Sequence, residues 1–249
     1  MNRLIVITGA SCGIGKSIVE RFSAAGDKVL LVSRNENQLI QTISDISSKN
    51  EDVELYYIAL DVSKVESISL LRKKIDDYGK PVDALICCAG AASLAVGSDI
   101  PTVYNEWMDS YNSNVMTAVL TIEGLESIIA DNGSIVLFSS IAAYRGSGGS
   151  GAYGAMKSAL HSYAHTLALR FGTRGINVNV IAPGYISETN FFGDRLTDGR
   201  RDMLIKQTIL GRPGKPSDCA GLCFYLCSNE GEYITSQIFQ INGGSNHGV

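Results

Sequence analysis

Short apolar runs alternate along the chain with longer stretches in which apolar residues recur at helical spacing. The runs are LIVIT at 4–8, KVLLVS at 28–33, VELYYIAL at 53–60, DALICCA at 83–89, GSIVLFSS at 133–140, INVNVIA at 176–182 and QIFQI at 237–241. Strands that are apolar nearly throughout are typical of a parallel sheet whose two faces are both covered by helices. The pattern therefore predicts an α/β fold with one doubly wound parallel sheet.

The alternation breaks after Pro183, where a polar stretch with scattered Phe, Leu and Met precedes the last helix and strand. We find no repeat, low-complexity tract or interdomain linker, so the sequence predicts one domain spanning residues 1–249. In such a fold, ligands bind beyond the carboxyl ends of the strands. A long excursion there is typical of a substrate lid, which we place at about residues 187–212.

Composition narrows the classes of function. A chain of 249 residues suits one large α/β core, and its net charge of -4 offers no basic surface for a nucleic acid or an anionic membrane. The apolar run at the N-terminus is too short for a signal peptide or a membrane span. The six cysteines do not form a disulfide framework. We therefore expect a cytoplasmic protein with neither a nucleic-acid nor a membrane partner.

The segment TGASCGIG connects the first predicted strand to its helix and contains Gly9, Gly13 and Gly15. Glycine permits a tight turn and lets a pyrophosphate approach the helix N-terminus, where free N–H groups and the helix dipole favour anions. The alternative is an ordinary glycine-rich turn, since such a pattern alone has low specificity. Its position at the first strand-to-helix junction favours dinucleotide binding.

The second strand ends in Ser33 and Arg34. A site that prefers NAD places an acidic residue here for the ribose hydroxyl, whereas a guanidinium suits a 2′-phosphate. The sequence therefore predicts NADP(H) as the preferred cofactor, with NAD(H) possible. The alternative reading of Arg34 is a solvated surface arginine.

Tyr153 and Lys157 lie one helical turn apart in a Gly- and Ala-rich segment that leaves open space around both side chains. The pKa of a free tyrosine is about 10, so almost no phenolate is present at neutral pH. A neighbouring ammonium group, together with a cationic nicotinamide ring, would lower that pKa and allow Tyr153 to exchange a proton with a substrate oxygen. On spacing alone, an ordinary surface Tyr–Lys pair would be the better explanation of the two residues.

The motifs occur together in one order. They are TGASCGIG, LDV at 60–62, CCAG at 87–90, NV at 114–115, FSS at 138–140, YGAMK at 153–157 and APG at 182–184. In the order and spacing of these motifs, the chain resembles the short-chain dehydrogenase/reductase family over nearly its whole length. Within that family, the sequence as a whole is similar to the bacterial 3-oxoacyl-acyl-carrier-protein reductases. The resemblance implies a Rossmann-type fold and a homotetramer built through the helix that carries Tyr153 and through the C-terminal helix and strand.

The resemblance also implies roles for four residues. Ser140 would hydrogen-bond the substrate oxygen, and Tyr153 would be the general acid in reduction and the base in oxidation. Lys157 would tune Tyr153 and hold the nicotinamide ribose, while Asn114 would position a water in the proton relay. Ser139 is a neighbour and a weaker candidate.

The same resemblance implies the cofactor contacts. Asp61 and Val62 would contact the adenine, Gly90 would lie beside its ribose, and the segment 183–189 would receive the carboxamide. The complete predicted cofactor site is Gly9, Ser11, Cys12, Gly13, Ile14, Gly15, Ser33, Arg34, Asp61, Val62, Ala89, Gly90, Tyr153, Lys157, Pro183, Gly184, Ile186 and Thr189.

Two positions depart from the family pattern. Cys87 and Cys88 stand where the family has two asparagines that mostly brace the sheet, which puts stability or cofactor fit in doubt more than hydride transfer. Cys12 replaces a frequent Arg or Ser in the glycine turn. If that arginine assists the 2′-phosphate in relatives, Arg34 must do so alone here.

Other clusters have simpler readings. The trio Cys219, Cys223 and Cys227 shares one helical face and fits buried packing better than a metal site, which would need a fourth ligand. His161 and His165 lack an evident third ligand, so a core or subunit-interface role is favoured and no metal is predicted.

Apolar residues in and near the lid leave two readings open. They could line an acyl or alkyl pocket, or they could close the lid against its own domain. The residues are Phe191, Phe192, Leu196, Met203 and Leu204, with the segment AASLAV at 91–96 as a possible flank.

We therefore expect an NADP(H)-dependent oxidoreductase that transfers hydride between the nicotinamide and a carbonyl or secondary-alcohol carbon. Its small-molecule substrate is first expected to be a 3-oxoacyl thioester. A sugar, polyol, steroid or other small ketone is the alternative substrate. A non-catalytic dinucleotide sensor is a different class of protein. The chain retains Ser140, Tyr153, Lys157 and Asn114, which argues against a sensor.

Overall fold

The structure, a computed structural model, describes residues 3–92, 99–147, 149–189, 191, 193 and 196–247. Seven parallel strands form one sheet in the order β3-β2-β1-β4-β5-β6-β7. The strands are β1 (Leu4–Thr8), β2 (Lys28–Ser33), β3 (Leu55–Ala59), β4 (Val82–Cys87), β5 (Ile129–Phe138), β6 (Asn177–Pro183) and β7 (Ile238–Ile241). The predicted doubly wound parallel sheet is confirmed.

The connections between the strands are mainly helical. The α-helices are α1 (Gly13–Ser23), α2 (Glu36–Ser47), α3 (Val65–Asp76), α4 (Ile100–Tyr111), α5 (Thr117–Leu125), α6 (Ala142–Arg145), α7 (Ala152–Phe171), α8 (Asp198–Lys206) and α9 (Pro216–Leu226). A π-helix (Asn112–Met116) joins α4 to α5, and short 3-10 turns lie at Glu126–Ile128, Gly172–Arg174 and Asn229–Gly231.

Alternation of side chains along each strand divides the core into two layers. On one face, Val6, Leu85 and Leu137 pack against α3, α5 and α7. On the other face, Ile5, Ile7 and neighbouring residues pack against α1 and α9. Both faces of the sheet are therefore covered by helices, as the nearly continuous apolar runs predict.

The three C-terminal cysteines belong to the second layer. Cys219, Cys223 and Cys227 are buried, and their thiols are free. The packing role predicted for them is confirmed.

Among the helices that the structure describes, none is long and apolar enough to cross a membrane.

Arg3 joins Asp27, just before β2, to Cys227, just after α9. Asp27, only 2% exposed, accepts hydrogen bonds from Nε and Nη2 of Arg3 at 2.9 and 2.6 Å. Nη1 of Arg3 donates to the carbonyl oxygen of Cys227 at 2.5 Å. The same guanidinium lies 5.7 Å from the ring centre of Phe22 and 5.9 Å from that of Phe224. The carboxylate is therefore fully paired where β2 begins.

The glycine turn depends on close backbone packing. A Cβ on Gly9, whose φ is +70°, would lie 2.8 Å from the amide nitrogen of Ala89 and the carbonyl oxygen of Cys88. A Cβ on Gly15 would overlap the carbonyl group of Gly9. Both glycines therefore serve protein packing, apart from any role toward a ligand.

We predict that Gly15→Ala lowers the free energy of unfolding by about 1–3 kcal/mol, because backbone atoms must move to admit the methyl group. Gly172→Ala is the matched control, since Gly172 has helical φ and ψ and open space around its Cβ position. It should raise stability by about 0.4–1 kcal/mol. Urea unfolding without cofactor measures both, and equal effects would contradict the packing account.

Candidate active site

The predicted site residues converge at the carboxyl edge of the sheet. The glycine turn follows β1, Arg34 follows β2, Asp61 follows β3, Gly90 lies beyond β4 and Ser140 follows β5. The carboxyl ends of parallel strands share one edge, and ligands of open α/β sheets bind there. The sequence order of the motifs thus becomes one continuous surface.

The start of α1 fits a pyrophosphate. Cys12, at the N-cap, makes no side-chain capping hydrogen bond, and the first turn of α1 holds no acidic residue. Gly13 has a φ of +52°, and a Cβ there would lie 3.1 Å from Cγ2 of Thr189. No side chain caps the N-terminus of α1, which is the end of a helix that favours anions, and Thr189 in the segment after β6 lies beside Gly13. These residues fit a dinucleotide.

The end of β2 carries the predicted ribose contacts. Oγ of Ser33 lies 3.0 Å from Oγ of Ser11, which places the end of β2 against the glycine turn. Arg34 is exposed. Burial acts to raise the pKa of Asp61, but hydrogen bonds from Ser63 and the charges of Arg34 and Lys64 hold it below its usual value. The guanidinium of Arg34 therefore lies near the Asp61 carboxylate and is accessible to a ligand.

The remaining cofactor candidates lie on adjoining backbone. Val62 is buried beside Asp61, and the amide of Ala89 donates to Oγ1 of Thr8 at 3.2 Å. The amide of Gly184 donates to the carbonyl oxygen of Ile241 at 2.7 Å, and Pro183 ends β6. The structure thus brings both sides of the predicted cleft to one edge.

Ser140, Tyr153 and Lys157 come together where β5 meets α7. Nζ of Lys157 donates to the carbonyl oxygen of Phe138 at 2.8 Å, and the Ser140 hydroxyl lies near enough to the Tyr153 phenol to oppose the rise that burial causes in its pKa. Nζ of Lys157 lies 5.8 Å from the centre of the Tyr153 ring. Tyr153 is 9% exposed and Lys157 4%. The open space expected around these side chains is absent, because the surrounding chain closes over them.

Burial controls both pKa values in this cofactor-free chain. It raises the pKa of Tyr153 to about 12, against a smaller lowering by the nearby Ser140 hydroxyl. It lowers the pKa of Lys157 to about 8, with a smaller opposing effect of Cys88. The lowered pKa expected for Tyr153 beside a cationic nicotinamide ring stays a prediction, and desolvation alone opposes the phenolate.

Asn114 lies in the π-helix and is fully buried. Its Oδ1 accepts from the amide of Ala91 at 3.2 Å, and its Nδ2 donates to the carbonyl oxygens of Ala91 and Ser110 at 2.8 and 3.1 Å. A Cβ on Gly90 would lie 2.8 Å from Oδ1 of Asn114 and 3.0 Å from Nζ of Lys157. The Asn114 carboxamide therefore holds the loop after β4 against Lys157. Short π-helical segments of this kind are frequent at functional sites.

The lid also reaches the candidate catalytic residues, through Phe191. The ring of Phe191 lies 5.5 Å from that of Tyr153. Ile186, which is buried, pairs with Gly214 in a parallel bridge that closes the base of the lid. Met203 is 51% exposed, while Leu196 and Leu204 are partly buried. Phe192 and residues 93–96 lie outside the described part of the chain.

Two contacts beside the site escape motif-based reading. Oγ of Ser139 lies 2.7 Å from Nε2 of His161, and Nδ1 of the exposed His165 lies 2.7 Å from Oγ of Ser236. The two histidines thus face different partners. No group of three or more potential metal ligands occurs among the residues described. The helical spacing of the histidines was the only signal in the sequence for these contacts.

The fold and the site together define an oxidoreductase that binds a nicotinamide dinucleotide. A family model described as enoyl-(acyl carrier protein) reductase matches residues 9–246. The 3-oxoacyl-[acyl-carrier-protein] reductase FabG of Escherichia coli (strain K12) is 31% identical over 244 residues, which cover 97% of this chain and 96% of that protein. The chain belongs to the short-chain dehydrogenase/reductase family.

Two further relatives show the breadth of that family. Human mitochondrial dehydrogenase/reductase SDR family member 2 is 31% identical over 248 residues, 98% of this chain and 86% of that protein. The crystal structure titled short-chain dehydrogenase/reductase SDR:glucose/ribitol dehydrogenase, from Brucella melitensis, has a TM-score of 0.87 and 29% identity. It covers 99% of this chain, and 98% of that chain is covered. Family membership alone therefore leaves the substrate open.

The buried ammonium of Lys157 predicts a pH-dependent stability. Its pKa is about 8 in the folded chain against an ordinary value of 10.5, so between these pH values the unfolded chain binds the proton that the folded chain has released. The free energy of unfolding therefore rises with pH in this window, by about 3 kcal/mol in full.

Lys157→Met removes this contribution while keeping an unbranched side chain. We expect the stability of the wild type relative to Lys157→Met to increase as pH rises from about 8 to 10. Urea unfolding of both cofactor-free proteins at a series of pH values measures the difference. A difference that stays constant with pH would contradict the burial of a titrating amine.

Proposed function

We propose that this protein is an NADP(H)-dependent reductase of 3-oxoacyl thioesters. One observation carries the assignment of chemistry: the buried Tyr153 phenol lies where the Ser140 hydroxyl acts on it, beside a Lys157 amine that donates to the carbonyl oxygen of Phe138. Two hydroxyl donors at one point, next to an anion-binding glycine turn, suit a carbonyl oxygen that gains negative charge.

Each residue has a distinct part in this proposal. A bound nicotinamide dinucleotide supplies the hydride that is transferred to the carbonyl carbon. Ser140 donates a hydrogen bond to the carbonyl oxygen, and the Tyr153 phenol donates its proton to that oxygen as the alkoxide forms. Lys157 stabilises the phenolate that remains, and Asn114 holds the loop beside which a relay water would bind.

The raised pKa of Tyr153 fits its proposed part as the proton donor. A phenol with a pKa of about 12 keeps its proton throughout the physiological range, so the general acid is ready before the substrate binds. Oxidation would need a phenolate, which burial disfavours until positive charge is added nearby.

The proposed substrate class rests on relatedness and on the lid. Relatives such as the E. coli reductase act, by their names, on 3-oxoacyl groups carried by acyl carrier protein. Phe191 places an apolar ring beside Tyr153, where an acyl chain would pass. The glucose/ribitol title of the Brucella structure keeps sugars and polyols as the alternative substrate class.

The wild-type protein should oxidise NADPH when an acetoacetyl thioester is added. Tyr153→Phe should lower kcat by about 10²–10⁴-fold while NADPH binding survives, because the ring remains and only the proton donor is lost. Absorbance at the NADPH band measures turnover, and fluorescence titration measures binding.

Ser236→Ala is the control for loss of a hydroxyl group, because Ser236 contacts His165 and none of the proposed catalytic residues. Ser139→Ala would not serve, since the Ser139 hydroxyl donates to the carbonyl oxygen of Lys157. Full activity of Tyr153→Phe would refute the catalytic assignment. Turnover of polyols or sugars but not of the thioester would transfer the assignment to the alternative substrates. NADPH binding without turnover of any carbonyl would favour a dinucleotide sensor.

Cofactor preference should depend on Arg34. We predict that Arg34→Ala weakens NADPH binding about tenfold and changes NADH binding less than twofold, because only NADPH offers a phosphate to the guanidinium. Arg72→Ala removes a partly exposed arginine on α3 that pairs with Asp76, and it is the control. Equal losses for both cofactors would show that Arg34 does not read the 2′-phosphate.

Assembly and location stay predictions. The homotetramer can be checked by light scattering of the purified protein, and a monomeric mass would refute it. All six cysteines are free, which supports a reducing compartment such as the cytoplasm. Fractionation of cells that express the untagged protein tests that location.

A further inference from the structure

The proposed chemistry uses groups on two separate elements. Ser140 follows β5, whereas Tyr153 and Lys157 lie on α7. Two hydrogen bonds join these elements at Lys157: its Nζ donates to the carbonyl oxygen of Phe138 at 2.8 Å, and its backbone carbonyl accepts from the Ser139 hydroxyl at 2.9 Å. The chain just before Ser140 is therefore attached to both ends of one lysine.

His161 adds a third group to this junction. It lies one turn after Lys157 on α7, and its Nε2 is 2.7 Å from Oγ of Ser139. A serine hydroxyl has a single proton, and a carbonyl oxygen can only accept. Because Ser139 gives its proton to the carbonyl of Lys157, Nε2 of His161 must donate to Ser139. The ring is thus in the form that carries hydrogen on Nε2.

Packing around the imidazole fixes its orientation. The ring is partly buried and lies 5.2 Å from the ring of Tyr144, on α6, at an interplanar angle of 44°. Burial lowers the pKa of His161, and the charge of His165 one turn later acts in the same direction. A neutral ring that donates through one nitrogen matches the single acceptor at Ser139.

We propose that His161 is a positioning residue, which holds Ser139 so that Ser140 keeps its place relative to Tyr153. The proposal rests on the proposed function, because it concerns the geometry of that pair. His161 does not touch the reacting atoms. It acts through the chain His161 Nε2–H to Ser139 O–H to the carbonyl of Lys157.

The mechanical consequence follows from sequence adjacency. Ser139 also donates its amide to the carbonyl oxygen of Ile181 at 2.8 Å, and Oγ of Ser140 accepts from the amide of Ala142 at 3.2 Å. The two serines are thus held from β6, from α6 and from α7. Without the donor at His161, the Ser139 hydroxyl loses one of its two partners and can rotate away from Lys157.

The first experiment compares three single variants. His161→Leu removes the donor, and His161→Gln keeps an N–H at a similar distance from the backbone. His165→Leu is the control, because it removes a histidine one turn along α7 whose partner is Ser236. We expect kcat to fall about 10–100-fold in His161→Leu, with KM values changed less than about twofold, and to recover in His161→Gln.

A second measurement does not depend on turnover. ¹⁵N NMR of the cofactor-free protein at about pH 8 distinguishes the two neutral forms of an imidazole, and the proposal requires hydrogen on Nε2 of His161. In a double-mutant cycle, His161→Leu should lower kcat no further once Ser139→Ala is present, because both changes break the same chain of hydrogen bonds.

Three results would overturn the positioning role: wild-type kcat in His161→Leu, equal losses in the Leu and Gln variants, or hydrogen on Nδ1 alone. Full activity of Tyr153→Phe would instead overturn the proposed function, and this proposal with it. Loss of activity in Tyr153→Phe together with normal turnover in His161→Leu would reject only the role of His161.

Discussion

The contact between the turn after β1 and the chain after β4 is the constraint on which the site depends. β1 and β4 are neighbours in the sheet although two other strands lie between them in the sequence. Their continuations meet where Gly9 packs on the Cys88–Ala89 backbone and Thr8 accepts the amide of Ala89. A side chain on Gly9 would push these two segments apart. The contact therefore sets where α1 begins and how near Gly90 comes to Lys157.

Lys157 shows what that edge does with a charge. Its amine is removed from water and donates to the carbonyl oxygen of Phe138. Nζ of Lys157 and Oδ1 of Asn114 both lie close to Gly90, which has no side chain to separate them. Burial makes the charged form costly, so the amine holds its proton more weakly than a surface lysine does. The same burial keeps the phenol of Tyr153 protonated. Electrostatic preorganisation here is largely a matter of excluding water.

Local pattern was sufficient for the central strands and insufficient where distant segments decide the structure. β1 was predicted at its observed bounds because all five of its residues are buried, whereas β5 begins earlier than its apolar run, with exposed Asp131 and Asn132 inside it. The motifs located Ser140, Tyr153 and Lys157, but they did not indicate that Tyr153 and Lys157 are buried or that Phe191 lies beside Tyr153. The bond from His161 to Ser139 joins residues 22 positions apart, and a periodic pattern on one helix cannot indicate such a partner.

The cluster at Arg3 has a consequence for the order in which the protein is made. Arg3 pairs with Asp27 early in the chain, but its third bond is to the carbonyl of Cys227, 224 residues later. During translation the N-terminal strand and helix leave the ribosome long before α9 exists to cover them. Until α9 arrives, the face of α1 that carries Phe22 stays uncovered. The nascent chain therefore exposes an apolar surface during most of its synthesis, and a chaperone that binds such surfaces would meet it there.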